Sequence, residues 1–133
     1  MSHLPSASGT FGDKPVLTFP EDAAPQELAV VVLEQGTGEE VQAGQSIDVN
    51  YYGQVWNGAM FDNSYDRGSS IQFPIGVGAV IAGWDDALVG KQIGSRVLVS
   101  IPPHLGYGER GMPAAGIRGT DTLVFVVDIL GAR

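Results

Sequence analysis

Cysteine is absent from the 133 residues, and histidine occurs only at His3 and His104. The first absence excludes disulfides, thiolate nucleophiles and zinc–thiolate centres. The second leaves two imidazoles far apart in the chain, which argues against a histidine metal site. Basic residues are scarce, 7 Lys and Arg against 15 Asp and Glu, for a net charge of −8. So little positive charge leaves no patch able to release counterions from a phosphate backbone, so nucleic acid is not an expected partner. No apolar run approaches the ~20 residues that cross a bilayer. The N-terminus also has no basic stretch followed by an apolar one, and the expectation is a cytoplasmic protein with no membrane partner. Gly-rich phosphate loops ending in Gly-Lys-Ser/Thr, Gly-x-Ser-x-Gly elbows and His-Glu-x-x-His motifs are missing, which disfavours nucleotide and hydrolase chemistry. Asp85-Asp86 are neighbours that point apart in a helical turn, not an acid/base pair.

What is present suits one folded domain. Hydrophobic residues make up 44% of the chain, and a chain of this length buries about two-thirds of the surface that its unfolded form exposes. Gly and Pro together supply about a fifth of the residues, well above average usage. They fall between apolar runs, a pattern of turns joining short strands. Leu28–Leu33 is a compact Val-rich run, and Ile47, Val49 and Tyr51 alternate with Asp48, Asn50 and Tyr52, the period of a half-buried strand. Asn57-Gly58 between Val55-Trp56 and Met60-Phe61 predicts a hairpin. Further strands are expected at Ser70–Ile75 and around Val97, Val99 and Ile101. Thr122–Leu130 is nearly all apolar and reads as a central strand covered on both faces. One short helix is predicted over Trp84–Val89, between Gly83 and Gly90, with acidic residues in its first turn where the helix dipole favours them. Before Glu27 the sequence is rich in Ser, Pro, Gly and acid. The first eight residues read as a flexible tail, and Lys14–Phe19 as a stretch lying along the surface or adding an edge strand. The fold class is α+β, an antiparallel sheet wrapped on one short helix.

Three places could carry chemistry. The connection from Pro102 to Asp121 has no strand or helix period yet keeps Leu105, Tyr107, Met112, Pro113 and Ile117. Loops of that length are uncommon unless functional or disordered, and disordered ones lack such residues, so a binding loop is the better reading. Phe61-Asp62 follows the hairpin. From spacing alone the plain explanation, a carboxylate at a hairpin end in water, has the advantage over one held by Arg67 or aimed into a pocket. Val80-Ile81-Ala82-Gly83-Trp84 leads into the helix, and a Trp there is more often core than site.

Taken in order, Val49-Asn50-Tyr51-Tyr52-Gly53, Phe61-Asp62-Asn63-Ser64, Val80-Ile81-Ala82-Gly83-Trp84, Gly106-Tyr107-Gly108 and Thr122-Leu123-Val124-Phe125 resemble the FKBP-type peptidyl-prolyl cis-trans isomerases. Each tract alone is weak; five in the family's order and spacing are specific. The likeness runs from about Leu28 to Leu130, with residues 1–26 as a partly flexible N-terminal extension and 27–133 as the isomerase domain. Gly9-Thr10-Phe11-Gly12 to Val16 is similar to the extension of some actinobacterial members, suggesting a single-domain bacterial protein of that group.

The resemblance implies a twisted antiparallel half-barrel of five to six strands around one short α-helix, with a shallow apolar pocket between them. Tyr51, Asp62 and Tyr107 are then the catalytic candidates. Phe61, Phe73, Val80, Ile81, Trp84, Ile117 and Phe125 are the substrate-binding ones, with Trp84 as the floor. Asp62 would sit at the rim, steadied by Arg67 and Tyr51. The Ile81 N–H and the Tyr107 hydroxyl would bond carbonyls of the bound peptide. The implied activity is rotation about Xaa-Pro bonds in protein folding, with no metal or cofactor. The implied partners are Pro-containing peptides, unfolded proteins and macrolides of the rapamycin and tacrolimus type, met by a monomer. Two positions depart from the family pattern: Met112-Pro113 stands where His-Pro is common, and Ile71 where an aromatic is, which bears on peptide preference and macrolide affinity. The runner-up is a binding module using the same pocket to hold Pro-containing segments. A small barrel without pocket function trails, because it leaves the long apolar loop unexplained.

Overall fold

The computed structural model describes residues 4–133. In chain order its elements are β1 (Ser6–Ala7), β2 (Leu17–Thr18), β3 (Ala29–Glu34), β4 (Ser46–Val55), β5 (Met60–Asn63), β6 (Ile71–Pro74), α1 (Ala82–Leu88), β7 (Arg96–Ile101) and β8 (Leu123–Ala132). Every strand pairing is antiparallel. Six strands form one sheet in the order β3-β7-β8-β4-β5, and β6 also pairs with β4. The long strand β4 makes this possible. Its first half meets β6 (Val49 opposite Ile71) and its second half meets β5 (Gly53 opposite Asp62) along one edge, while β8 takes the other edge. At the β4–β5 turn Asn57 has φ 53°, a left-handed conformation that Asn tolerates better than most residues.

The period-two pattern sorts the sheet into two faces. Ile47, Val49, Val97, Val99, Leu123, Val127 and Ile129 point inward and pack on Trp84, Ala87 and Leu88 of α1. The helix starts at Ala82, two residues before the expected Trp84, because the Trp84 N–H already bonds the Ile81 carbonyl at 3.0 Å. Gly83 is therefore inside the helix and not its boundary. A Cβ there would stand 2.7 Å from the Ile101 side chain, so the glycine serves close packing of α1 on β7.

The opposite face is also covered. Tyr52, Leu98, Val124 and Val126 form a second apolar cluster with Leu17, joined by Leu4, Ala7, Phe19, Trp56 and Tyr65. This explains why all six residues of β7 are buried. The cover is the N-terminal segment. Of the expected flexible tail, residues 1–3 lie outside the described residues. Leu4–Ser8 is ordered, with Ser6 and Ala7 paired to Thr18 and Leu17 and Pro5 buried. Lys14–Phe19 lies along the domain as expected, and its strand pairs within the segment instead of extending the main sheet. Beneath it Arg96 and Asp128, 1% and 0% exposed in their side chains, form an ion pair (Nε–Oδ1 2.8 Å). That pair also takes in the Gly12 N–H, the Asp13 and Ser8 carbonyls and the Tyr65 hydroxyl.

Candidate active site

One end of the inner face stays open. There the sheet, α1 and the long loop enclose a cavity of about 720 Å³. Strand alternation turns Tyr51 on β4 and Phe125 on β8 toward the helix, and Trp84, 5% exposed, rises between them. Its ring centroid lies 5.4 Å from Tyr51, 5.1 Å from Phe125 and 5.3 Å from Phe73. The first two contacts are edge-to-face, with interplanar angles of 74° and 89°; pairs of this kind add about 0.5–1.5 kcal/mol beyond burial. The indole N–H is buried without an acceptor among the described residues, so what Trp84 offers is ring surface. Phe61 extends the wall by an edge-to-face contact with Phe125 at 5.5 Å. Gly53 permits that contact, since a Cβ would stand 2.7 Å from one ring and 2.8 Å from the other.

The polar groups sit at the rim. Asp62 accepts from the Tyr51 hydroxyl and from Arg67 (Nη1–Oδ1 2.6 Å), and Arg67 Nη2 also donates to the Tyr51 oxygen at 2.9 Å. The guanidinium lies 5.7 Å from the Tyr51 ring centroid, within cation–π range. Burial pushes the Asp62 carboxyl up, but the Tyr51 and Arg67 hydrogen bonds outweigh it, and the group stays below the usual carboxylate range. Burial, then the bond to Asp62, pushes the Tyr51 phenol up. Tyr107 is likewise pushed up, by burial first and then by the charge on Asp62. Both hydroxyls thus hold their protons at neutral pH. Two donors are left unengaged: neither the Tyr107 hydroxyl nor the Ile81 N–H bonds any group of the described residues.

The loop over the cavity is built from three short 3₁₀ turns, Pro103–Leu105, Gly108–Arg110 and Pro113–Ala115. Met112 and Ile117 bridge its tip, N–H to carbonyl at 2.8 and 3.1 Å, and the Arg118–Asp121 ion pair (2.9 Å) staples its base. Gly119 is pressed so close that a Cβ would fall 1.9 Å from the Glu109 carbonyl oxygen. A second staple holds the cavity's other lip, where Asp85 accepts from Gly76 N (2.7 Å) and Gly78 N (3.0 Å).

Of the residues predicted for the site, Tyr51, Phe61, Asp62, Phe73, Val80, Ile81, Trp84, Tyr107 and Phe125 meet at this cavity. Ile117 does not line it; the Met112–Ile117 bridge turns it inward, 3% exposed, into the core. The cavity also brings in Ile71, Gln72, Gly78, Ala79, Met112 and Ala115. Ile71 and Met112 were marked only as departures from a pattern, and Gln72, Gly78, Ala79 and Ala115 carry no signal that distinguishes them from ordinary loop and strand-edge residues.

The result is an open apolar cleft with an aromatic floor and two unengaged donors at its edge. The family model described as FKBP-type peptidyl-prolyl cis-trans isomerase matches residues 37–130. The FK506-binding protein of Streptomyces anulatus is 40% identical over 119 residues, covering 89% of this chain and 96% of that one. The Arabidopsis thaliana peptidyl-prolyl cis-trans isomerase FKBP15-2 is 43% identical over 96 residues, 71% of this chain and 58% of its own. The crystal structure of AtFKBP13 superposes with a TM-score of 0.74 at 36% identity, over 83% of this chain and 96% of that one. The chain belongs to the FKBP-type peptidyl-prolyl cis-trans isomerases, and its activity is the rotation of Xaa-Pro peptide bonds. No helix of the described residues is long and apolar enough to cross a membrane.

Proposed function

We propose that the Trp84 cavity is where this isomerisation occurs, with Tyr51, Asp62 and Tyr107 as its catalytic polar groups and the aromatic walls as its binding surface. The proline ring packs on Trp84, and the Ile81 N–H and Tyr107 hydroxyl donate to carbonyls of the bound peptide. The observation that carries this reading is the pair of unengaged donors beside an apolar floor.

The chemistry asks for little more. A planar Xaa-Pro amide resists rotation by about 20 kcal/mol because resonance must be lost, so uncatalysed exchange takes ~10–100 s. The planar amide is more polar than the twisted one, so transfer from water into an apolar cleft raises the ground state more than the transition state. Hydrogen bonds that fix the flanking carbonyls in the twisted geometry add to the effect. Bringing ~10 s to ~1 ms is a factor of about 10⁴, or about 5.5 kcal/mol, within reach of apolar walls and a few oriented donors. No σ bond forms or breaks, so no nucleophile is required.

The same surface suits rapamycin and tacrolimus, whose ring would occupy the proline's place, and Pro-containing segments of unfolded proteins as clients in protein folding. Residues 27–133 form the isomerase domain on this reading, and residues 1–26 its extension. On this reading the protein works as a monomer in the cytoplasm. The test is an amide-detected NMR titration with a Leu-Pro peptide, followed by rapamycin. The largest shifts are expected at the Ile81 amide and the Trp84 indole N–H, with rapamycin displacing the peptide. Shifts clustered elsewhere would overturn the placement.

A further inference from the structure

We propose that the N-terminal segment, acting through Lys14 and Asp66, is a positioning element for the Tyr51–Asp62–Arg67 cluster. The inference rests on the site reading above and concerns residues remote from the cavity. The turn joining β5 to β6 is held at two neighbouring residues, Arg67 and Asp66. On the cavity side Arg67 reaches Asp62 (2.6 Å) and the Tyr51 hydroxyl (2.9 Å). On the opposite side its neighbour Asp66 receives Lys14 Nζ at 2.8 and 3.1 Å and Asn63 Nδ2 at 3.0 Å, while the Asp66 N–H donates to Asn63 Oδ1 at 2.8 Å. Asn63 is the residue next to Asp62. Tyr65, one position further back, donates to Asp128 Oδ2 at 2.6 Å, and the same oxygen accepts the Gly12 N–H at 2.8 Å. Residues 12–14 therefore reach the outer side of the same turn that presents Arg67 on its inner side.

The cluster needs such support. The side chains of Arg67 and Asp62 are 47% and 44% exposed, and an exposed pair holds two flexible side chains together only weakly. Within the turn the backbone makes two bonds of its own, Arg67 N to the Ser64 carbonyl at 3.2 Å and Gly68 N to the Tyr65 carbonyl at 3.1 Å. Anchoring Asp66 and Tyr65 from outside restricts the backbone from which Arg67 projects, so the carboxylate of Asp62 is held in one orientation when substrate arrives. Lys14 and Asp66 are themselves half exposed, 45% and 55%, so removing Lys14 loosens the turn without opening the core.

The test is steady-state isomerisation of a Leu-Pro peptide by the full chain as wild type, Lys14→Ala, Lys14→Arg, Asp62→Ala and the double variant Lys14→Ala/Asp62→Ala. Lys14→Ala is expected to lower kcat about threefold with KM and the thermal midpoint unchanged, Lys14→Arg to restore it, and the loss to vanish in the Asp62→Ala background, because residues acting through one group are non-additive. At about 1 M salt, where the exposed Lys14–Asp66 and Arg67–Asp62 pairs are both screened, the difference in kcat between wild type and Lys14→Ala should vanish. An undiminished kcat for Lys14→Ala, or the same fold loss in both backgrounds, would overturn the inference while leaving the site intact. Wild-type kcat/KM for Asp62→Ala would overturn the site reading itself, and the inference with it.

Discussion

At the scale of single residues, the proposed site holds its phenols protonated and its carboxylate ionised. Burial and the Asp62 charge hold the Tyr107 hydroxyl protonated, so it remains a donor well into the alkaline range. Tyr107→Phe removes that donor and leaves the ring. The expected result is a fall in kcat/KM of about fivefold, the worth of one hydrogen bond of ~1 kcal/mol, with the thermal midpoint unmoved. On the proposed reading Asp62 sets the acid limit. Its pKa is held below the ordinary 3.8, so the ionised, Arg67-bound form is fully present above that value and is lost only as pH falls through the lowered one. A kcat/KM profile for the Leu-Pro peptide should therefore be flat between about pH 5 and 8, with an acid limb at or below 3.8. An acid limb centred near pH 6 would show that a different group controls the reaction.

At the scale of elements, close approaches made possible by glycine do much of the placing. The sequence makes Gly83 look like a helix boundary because glycine usually punctuates, whereas the structure uses its missing Cβ to seat α1 against Ile101. Gly83→Ala gains about 1 kcal/mol of helix propensity but drives a methyl to 2.7 Å from the Ile101 side chain. Overpacking of a tight contact costs about 1–3 kcal/mol, so a net loss of stability is expected in urea denaturation, with the Trp84 ring displaced. Gly119→Ala strikes the long loop at the Glu109 carbonyl and should lower kcat/KM more than it lowers stability, since Tyr107 and Met112 hang from that loop. The strands and the hairpin were legible because alternation and the Asn57-Gly58 turn are local signals, whereas Trp84 as a floor was implied by the family resemblance alone, its spacing reading as core. Ile117 was misplaced because the bridge to Met112, which decides which way it faces, leaves no periodic trace. Gln72 and Ala115 escaped notice because rim residues are neither patterned nor chemically distinctive.

At the scale of the whole molecule, one sheet has two covered faces with different duties. The inner face carries the cavity, and the outer face binds the N-terminal segment through the apolar cluster around Leu17 and the ion pair of Arg96 with Asp128. Lys14–Phe19 was legible as a stretch that could lie along the surface, but not the face it covers, because the segment meets β7 and β8 across most of the chain length and its apolar residues follow no period. Arg96→Met leaves Asp128 buried without its cation, a change that costs about 3–5 kcal/mol, and chemical denaturation should register it together with loss of protease resistance in residues 4–19. Catalysis at the Trp84 cavity is the central proposal. The most direct test is NMR exchange spectroscopy on a short Leu-Pro-Phe peptide with wild type and Trp84→Leu, each with and without rapamycin. Fast cis/trans exchange by wild type that rapamycin abolishes, and a loss of at least about tenfold in folded Trp84→Leu, is the predicted result, tenfold being ~1.4 kcal/mol of lost transition-state stabilisation. Exchange at the wild-type rate in folded Trp84→Leu, or wild-type exchange that saturating rapamycin leaves untouched, would contradict the assignment of catalysis to this cavity.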